Sequence, residues 1–280
     1  MQRLYVSDMD GTLLGSDSRV SARSAEVLSR VGREGALFTV ATARTPATVQ
    51  PLLAGVYSKL PAIVMTGAAL WDRTAQRFID PVTMGAQLEK ETVDRFLAHG
   101  VNPFVYRLAD ASRLEVFHNG KLTRREENFW LDRRDLPLKR FVFDRPEAYS
   151  TAMDDVMLML GIGGSERIMP LADELRGTGQ LSVSAYRDPV QPTVAYIEVF
   201  AAGVSKRAAV ERLAAMTGAE AVTVYGDNLN DLSMMEAATD AVAVENAMPE
   251  VKRAASRIIG PNTADAVALD VERLFEHETR

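Results

Sequence analysis

The sequence predicts an α/β fold: a parallel-sheet core with helices on both faces, interrupted by an inserted α+β domain. Two observations carry most of this. First, short β-forming apolar runs alternate with helical periodicities toward both ends of the chain, the pattern of a parallel sheet covered by helices. Second, the segment from about Val82 to Asp188 is richer in basic and aromatic residues and is bracketed by Pro81 and the Pro189–Pro192 stretch.

The elements follow in order. Arg3–Ser7 is a β-forming run that stops at carboxylates. Val20, Val27, Leu28 and Val31 recur at helical spacing, and Gly32 and Gly35 end the pattern. Ala36–Ala41 is a second strand, and Thr45–Pro46 reads as a cap and first turn. Val49, Leu52, Leu53 and Val56 continue that helix, with Pro51 expected to kink it or delay its start. Ala62–Met65 is a third strand. Within the middle segment, Gln87–Ala98 and Gly164–Leu175 read as helices, and Leu114–Phe117 and Phe141–Phe143 as β-type runs. The core resumes with a helix over Ser205–Met216, a strand over Ala221–Tyr225 and a helix over Leu229–Ala237. A strand over Ala241–Val244, a helix over Pro249–Ala255, a strand over Arg257–Ile259 and a helix from Thr263 to Phe275 complete it. The expected division is therefore a discontinuous core of 1–81 and 190–280, with 82–189 inserted.

Composition narrows the function. The chain has 280 residues, 47% apolar and 25% charged, enough to bury a core without covalent staples. The absence of cysteine excludes disulfides, thiolate chemistry and cysteine-ligated metals. A net charge of −6 argues against nucleic acid as the main partner. The apolar stretch Leu4–Val6 is too short for a secretory signal, and the run around Val156–Ile162 is too short to span a bilayer. The expectation is a cytoplasmic protein with no membrane partner, either a monomer or a weak homodimer.

Four segments carry chemistry. Asp8-Met9-Asp10-Gly11-Thr12 follows the first strand directly. Ligands of open α/β sheets sit beyond the carboxyl ends of the strands, and two acids there need a neutralising partner. Magnesium, which prefers oxygen donors, would serve. Asp, Gly and Thr are also ordinary turn residues. Gly226-Asp227-Asn228-Leu229-Asn230-Asp231 follows another strand and opens a helix, a setting that favours anions, although Asp and Asn are also common in a plain capping turn. Thr42, in Ala41-Thr42-Ala43-Arg44, ends the second strand, where its hydroxyl could donate to a phosphate oxygen. Lys206, in Gly203-Val204-Ser205-Lys206, opens a helix against the usual dipole preference, which suggests a local anion to pair with it.

Together, in the order acid pair, Thr, Lys, acid pair, these segments resemble the four-motif pattern of the haloacid dehalogenase-like hydrolases, in particular the Cof-type branch with an inserted type IIB cap. The resemblance covers the whole chain and implies a Rossmann-like core and a phosphatase acting on a small phosphorylated metabolite. It implies Asp8 as nucleophile and metal ligand, and Asp10 as general acid/base with its backbone carbonyl on the metal. It implies Asp227 as the third ligand of a Mg2+ ion and Asp231 as an accessory acid behind them. Thr42 and Lys206 would hold the transferring phosphoryl group, helped by Asn230, with Gly11, Ala43 and Arg44 lining the substrate site. Thr66-Gly67-Ala68 departs from the branch, which usually has Asn-Gly-Ala there. The cap would close over the substrate and select the leaving group; its Arg107, Arg113, Arg124, Arg125, Arg133, Arg134 and Arg140 read first as a solvated basic surface, the sharper reading being that one or two of them recognise an acidic or polyol substrate. A phosphomannomutase-like transferase, a non-catalytic sensor of a phosphorylated ligand, and a relative specialised for sucrose phosphate or mannosyl phosphoglycerate are the rival readings.

Overall fold

The computed structural model describes residues 2–145, 149 and 155–279. The chain forms two compact units, Met1–Ile79 with Ser205–Arg280, and Asp80–Val204.

The first unit is built on strands β1 (Arg3–Ser7), β2 (Leu37–Val40), β12 (Ala221–Gly226), β13 (Asp240–Val244) and β14 (Arg257–Ile259). They pair in the order β14-β13-β12-β1-β2, every pair parallel. A single parallel bridge from Ala41 to Ile63 extends the sheet to β3 (Ala62–Val64), which continues as an antiparallel hairpin through β4 (Ala69–Asp72) and β5 (Arg77–Ile79). Every residue of β12 is buried, as expected of a strand covered on both faces. Helices α1 (Ala22–Glu34), α2 (Pro46–Leu52), α6 (Lys206–Thr217), α7 (Leu232–Met235), α8 (Pro249–Ala254) and α9 (Ala266–Thr279) make the connections.

Strand β1 lies between β2, the next in sequence, and β12, more than two hundred residues later. Its carboxyl end is therefore a topological switch point, where the connections on either side diverge and leave a crevice.

Helix α2 begins at Pro46 and contains Pro51. The proline does not delay the start: the helix begins at Pro46, and Pro51 removes only the i→i−4 bond to the Ala47 carbonyl, in the last turn. The expected helix over Leu229–Ala237 is a single tight turn, Leu229–Asp231, followed by the four-residue α7. The closing helix begins at Ala266, after a separate turn over Asn262–Ala264.

The second unit is a six-stranded sheet, mostly antiparallel. Its strands are β6 (Phe104–Leu108), β7 (Leu114–His118), β8 (Lys139–Phe143), β9 (Val156–Gly164), β10 (Leu181–Arg187) and β11 (Val194–Ala201), in the order β10-β11-β9-β6-β7-β8. Helices α3 (Ala86–Ala98) and α5 (Ser165–Gly177) supply Val93, Phe96, Ile168 and Leu171 to a core with Val105, Met159 and Ile197. Helix α4 (Arg124–Leu131) packs Phe129 on Phe104, on the other face. Pro189–Pro192 lies in the connection between β10 and β11, inside this unit, because β11 pairs along its length with β9 and β10. No helix among the described residues is long and apolar enough to cross a membrane.

Candidate active site

The site is built at the carboxyl ends of β1, β2 and β12. Asp8 is the first residue past β1, and its backbone N–H donates to the Tyr225 carbonyl of β12 at 2.9 Å. Burial and register thus fix a carboxylate that is only 6% exposed. After it the chain turns tightly over Met9–Leu13, with Gly11 at φ +80°. A Cβ at Gly11 would collide with the Asp227 carboxylate, so glycine is needed there for conformation and for clearance. The Thr12 hydroxyl donates to Asp227 Oδ1 at 2.7 Å, tying the first motif to the last.

Lys206 is completely buried, and its ammonium donates to Asp8 Oδ1 and, at 2.7 Å, to Asp231 Oδ1. The other oxygen of Asp231 accepts the backbone N–H groups of Asp227 and Asn228, both at 3.0 Å. Asp231 therefore holds the lysine and the Asp227 turn at once. The anion that the unusual position of Lys206 calls for is this pair of acids. Their proximity holds the ammonium above its ordinary range although burial opposes its charge. One ammonium shared between two acids satisfies neither fully. Burial, together with the charges of Asp231 and Asp227, pushes Asp8 up to about 7 despite Lys206. Asp227 is also raised, chiefly by burial, against the Thr12 hydrogen bond.

Oxygens of Asp8, Asp227 and Asp231 lie within 4.8 Å of one another. This crowding of hard oxygen donors, with two carboxyls raised, fits a small divalent cation. Lys206 and two backbone N–H groups occupy Asp231, which leaves Asp8 and Asp227 as the side chains able to hold the ion. Asp10 points its exposed carboxylate elsewhere, into a two-bond pair with Arg44. Any share it has in the cation site rests on its backbone carbonyl.

Thr42 is buried, and its hydroxyl oxygen accepts the Arg44 backbone N–H at 3.1 Å, which leaves its O–H to donate. Ala43 is exposed and Arg44 half-buried. Asn230 is exposed. The residue that caps the tight turn after β12 is Asn228, whose side-chain oxygen accepts the Leu229 N–H at 2.7 Å.

Two residues of the site were not read from the sequence. Asn246, past the end of β13, donates from Nδ2 to the Gly11 carbonyl at 2.7 Å. Asn262 donates its N–H to Asn246 Oδ1 and its Nδ2 to the Leu14 carbonyl, at 2.9 and 2.7 Å. These two amides brace the turn that carries Asp10. Asn246 follows a strand end as the other motifs do, and that position was its available signal.

A Rossmann-like core with acids and a buried lysine at its switch point marks an enzyme of the parallel α/β class. The sequence profile of the haloacid dehalogenase-like hydrolases matches residues 5–269, and the chain belongs to that family. Among its relatives, 5-amino-6-(5-phospho-D-ribitylamino)uracil phosphatase YwtE of Bacillus subtilis is 25% identical, with 96% of each chain covered. Pyridoxal phosphate phosphatase YbhA of Escherichia coli is 24% identical, covering 95% of this chain and 96% of its own. The crystal structure of a haloacid dehalogenase-like hydrolase from Bacteroides thetaiotaomicron superposes with a TM-score of 0.75 at 23% identity, over 98% of this chain and 100% of that one.

Proposed function

We propose that this protein is a magnesium-dependent phosphatase that hydrolyses a small phosphorylated metabolite through an aspartyl phosphate on Asp8. One observation carries the reading: a buried carboxylate at the switch point, hydrogen-bonded to a buried lysine, with Asp227 beside it. The names of the relatives, which act on a phosphorylated ribityl compound and on pyridoxal phosphate, support substrates of this size and class.

A carboxylate attacks a phosphate dianion slowly because like charges repel. Lys206 and a magnesium ion held by Asp8, Asp227 and the Asp10 carbonyl would offset that repulsion, the ion by electrostatic neutralisation. Asp8 forms a bond to phosphorus as the bond to the leaving oxygen breaks, which gives the aspartyl phosphate. The Thr42 hydroxyl donates to a phosphoryl oxygen. Asp10 gives its proton to the departing alkoxide and then takes one from the water that attacks phosphorus, whereupon the bond to Asp8 breaks.

Asp8→Asn should fold normally and lose kcat by several orders of magnitude, because an amide does not form the acyl phosphate. Wild type quenched during turnover should carry one phosphoryl group on Asp8 by mass spectrometry. Substantial phosphate release by Asp8→Asn would refute the covalent route. Release of free phosphate, rather than transfer to a second sugar hydroxyl, separates hydrolase from mutase.

A further inference from the structure

Arg44 is expected from sequence to line the substrate site, yet its guanidinium is committed elsewhere. Its Nε donates to Asp10 Oδ2 at 2.7 Å and its Nη2 to Asp10 Oδ1 at 2.6 Å. This is the fork-to-carboxylate geometry that fixes direction as well as distance. The backbone of Arg44 is clamped from both sides. Its N–H is held by the Thr42 hydroxyl, and its carbonyl accepts the Met65 N–H at 3.0 Å. Asp10, by contrast, has a side chain 53% exposed, on a turn beside a glycine. Left alone it would sample several rotamers. A base must lie within about 2.6–3.2 Å of the heavy atom whose proton it takes.

We propose that Arg44 is a positioning residue for Asp10, holding its carboxylate form in place for the second half of the reaction, when Asp10 takes a proton from water. The proposal rests on Asp10 being the acid/base. When the Asp10 carboxylate accepts the water proton, the oxygen–phosphorus bond forms and the bond to Asp8 breaks. Asp10 is then protonated, one arm of the fork is released, and the acid for the next turnover is ready.

The test separates the two half-reactions in the magnesium-loaded enzyme, using p-nitrophenyl phosphate and glycerol 3-phosphate. Arg44→Ala should slow dephosphorylation tenfold or more, a loss typical of a misplaced catalytic group. It should therefore show a burst of p-nitrophenol, accumulate phosphorylated Asp8, and change kcat/KM for p-nitrophenyl phosphate less than about threefold. Arg44→Lys, which keeps the charge without the fork, should lie between, and added guanidinium ion should restore part of the rate to Arg44→Ala. If kcat/KM falls equally for both esters, inorganic phosphate binds more weakly by calorimetry, and no burst appears, Arg44 is a phosphate ligand and the proposal is overturned. Asp10→Asn is the control. If it slows neither dephosphorylation nor attack on glycerol 3-phosphate, the acid/base reading itself has failed. If it slows both while the Arg44 variants slow neither, only the role of Arg44 has failed.

Discussion

Thr66 has φ +58° and ψ +20° and follows Met65 at φ +51°. A β-branched residue in the left-handed region is strained by about 1–3 kcal/mol. The strain is held because the Thr66 N–H donates to the Thr42 carbonyl and the Met65 N–H to that of Arg44, so the bend at the end of β3 supports two residues of the site. Asparagine tolerates this conformation far better. Thr66→Asn should raise the unfolding free energy by about 1 kcal/mol, read from the denaturant midpoint at constant slope. Glu198 shows a different residue-scale effect. Half-buried on β11, it is pushed up to about 7 by loss of water. The folded state therefore binds its proton more tightly than the unfolded chain does. Its contribution to stability is fullest below the ordinary carboxylate range and is lost as pH rises from 4.5 to about 7. Glu198→Gln should remove that fall. The expected gain is on the order of 1–2 kcal/mol at pH 8 and none at pH 4, discounted because water still reaches the side chain. At this scale the sequence reading met its limits in the partners. It singled out Asp8, Asp227, Asp231 and Lys206, which do lie together. It did not foresee that Arg44 turns to Asp10, or that Asn246 braces Gly11, because these are contacts between segments that no local spacing encodes.

Helix α6 delivers Lys206 from its first turn, and its start is doubly fixed. The Ser205 side chain accepts the Ala208 N–H at 3.1 Å, and its carbonyl accepts that of Ala209 at 3.2 Å. Gly67 packs so close to the Ser205 carbonyl that a Cβ would overlap it. Ser205→Ala should cost about 1 kcal/mol as a lost cap. Gly67→Ala should cost more, because the obstacle is backbone and Gly67 sits at φ +97°. Thermal unfolding of both variants would rank them; equal or reversed losses would show that the helix start is not pinned by that approach. The core strands and helices were readable as elements because each is short, apolar and bounded by turn residues. Much of the second unit was not. Helix α4 offers few apolar side chains to a periodicity search. Strand β9 mixes a continuous apolar run with three glycines, so its β-pairing becomes evident only beside β6 and β11.

The segment Asp80–Val204 is continuous in sequence and owns its core of Phe96, Val105, Met159, Ile168 and Ile197. Expressed alone it should unfold cooperatively in denaturant, as a domain with its own core does. Met1–Ile79 expressed alone should not, because β1 would lack β12 and present an open edge. Circular dichroism along a urea titration distinguishes the two results, and a broad, non-cooperative curve for Asp80–Val204 would remove its claim to independence.

The pairing of β1 with β12 also sets a timetable. Arg3 faces Ala221 in the register, so β1 waits for a strand made more than two hundred residues later. At about 5–20 residues per second the interval is roughly ten to forty seconds. Throughout it, Asp8 has been synthesised but has neither Lys206 nor Asp227 beside it. The three side chains thus come together only once β12 has been made, and an apolar strand needs shelter until that neighbour arrives. The intervening stretch, which has a core of its own, would shorten the loop that must close if it settles first.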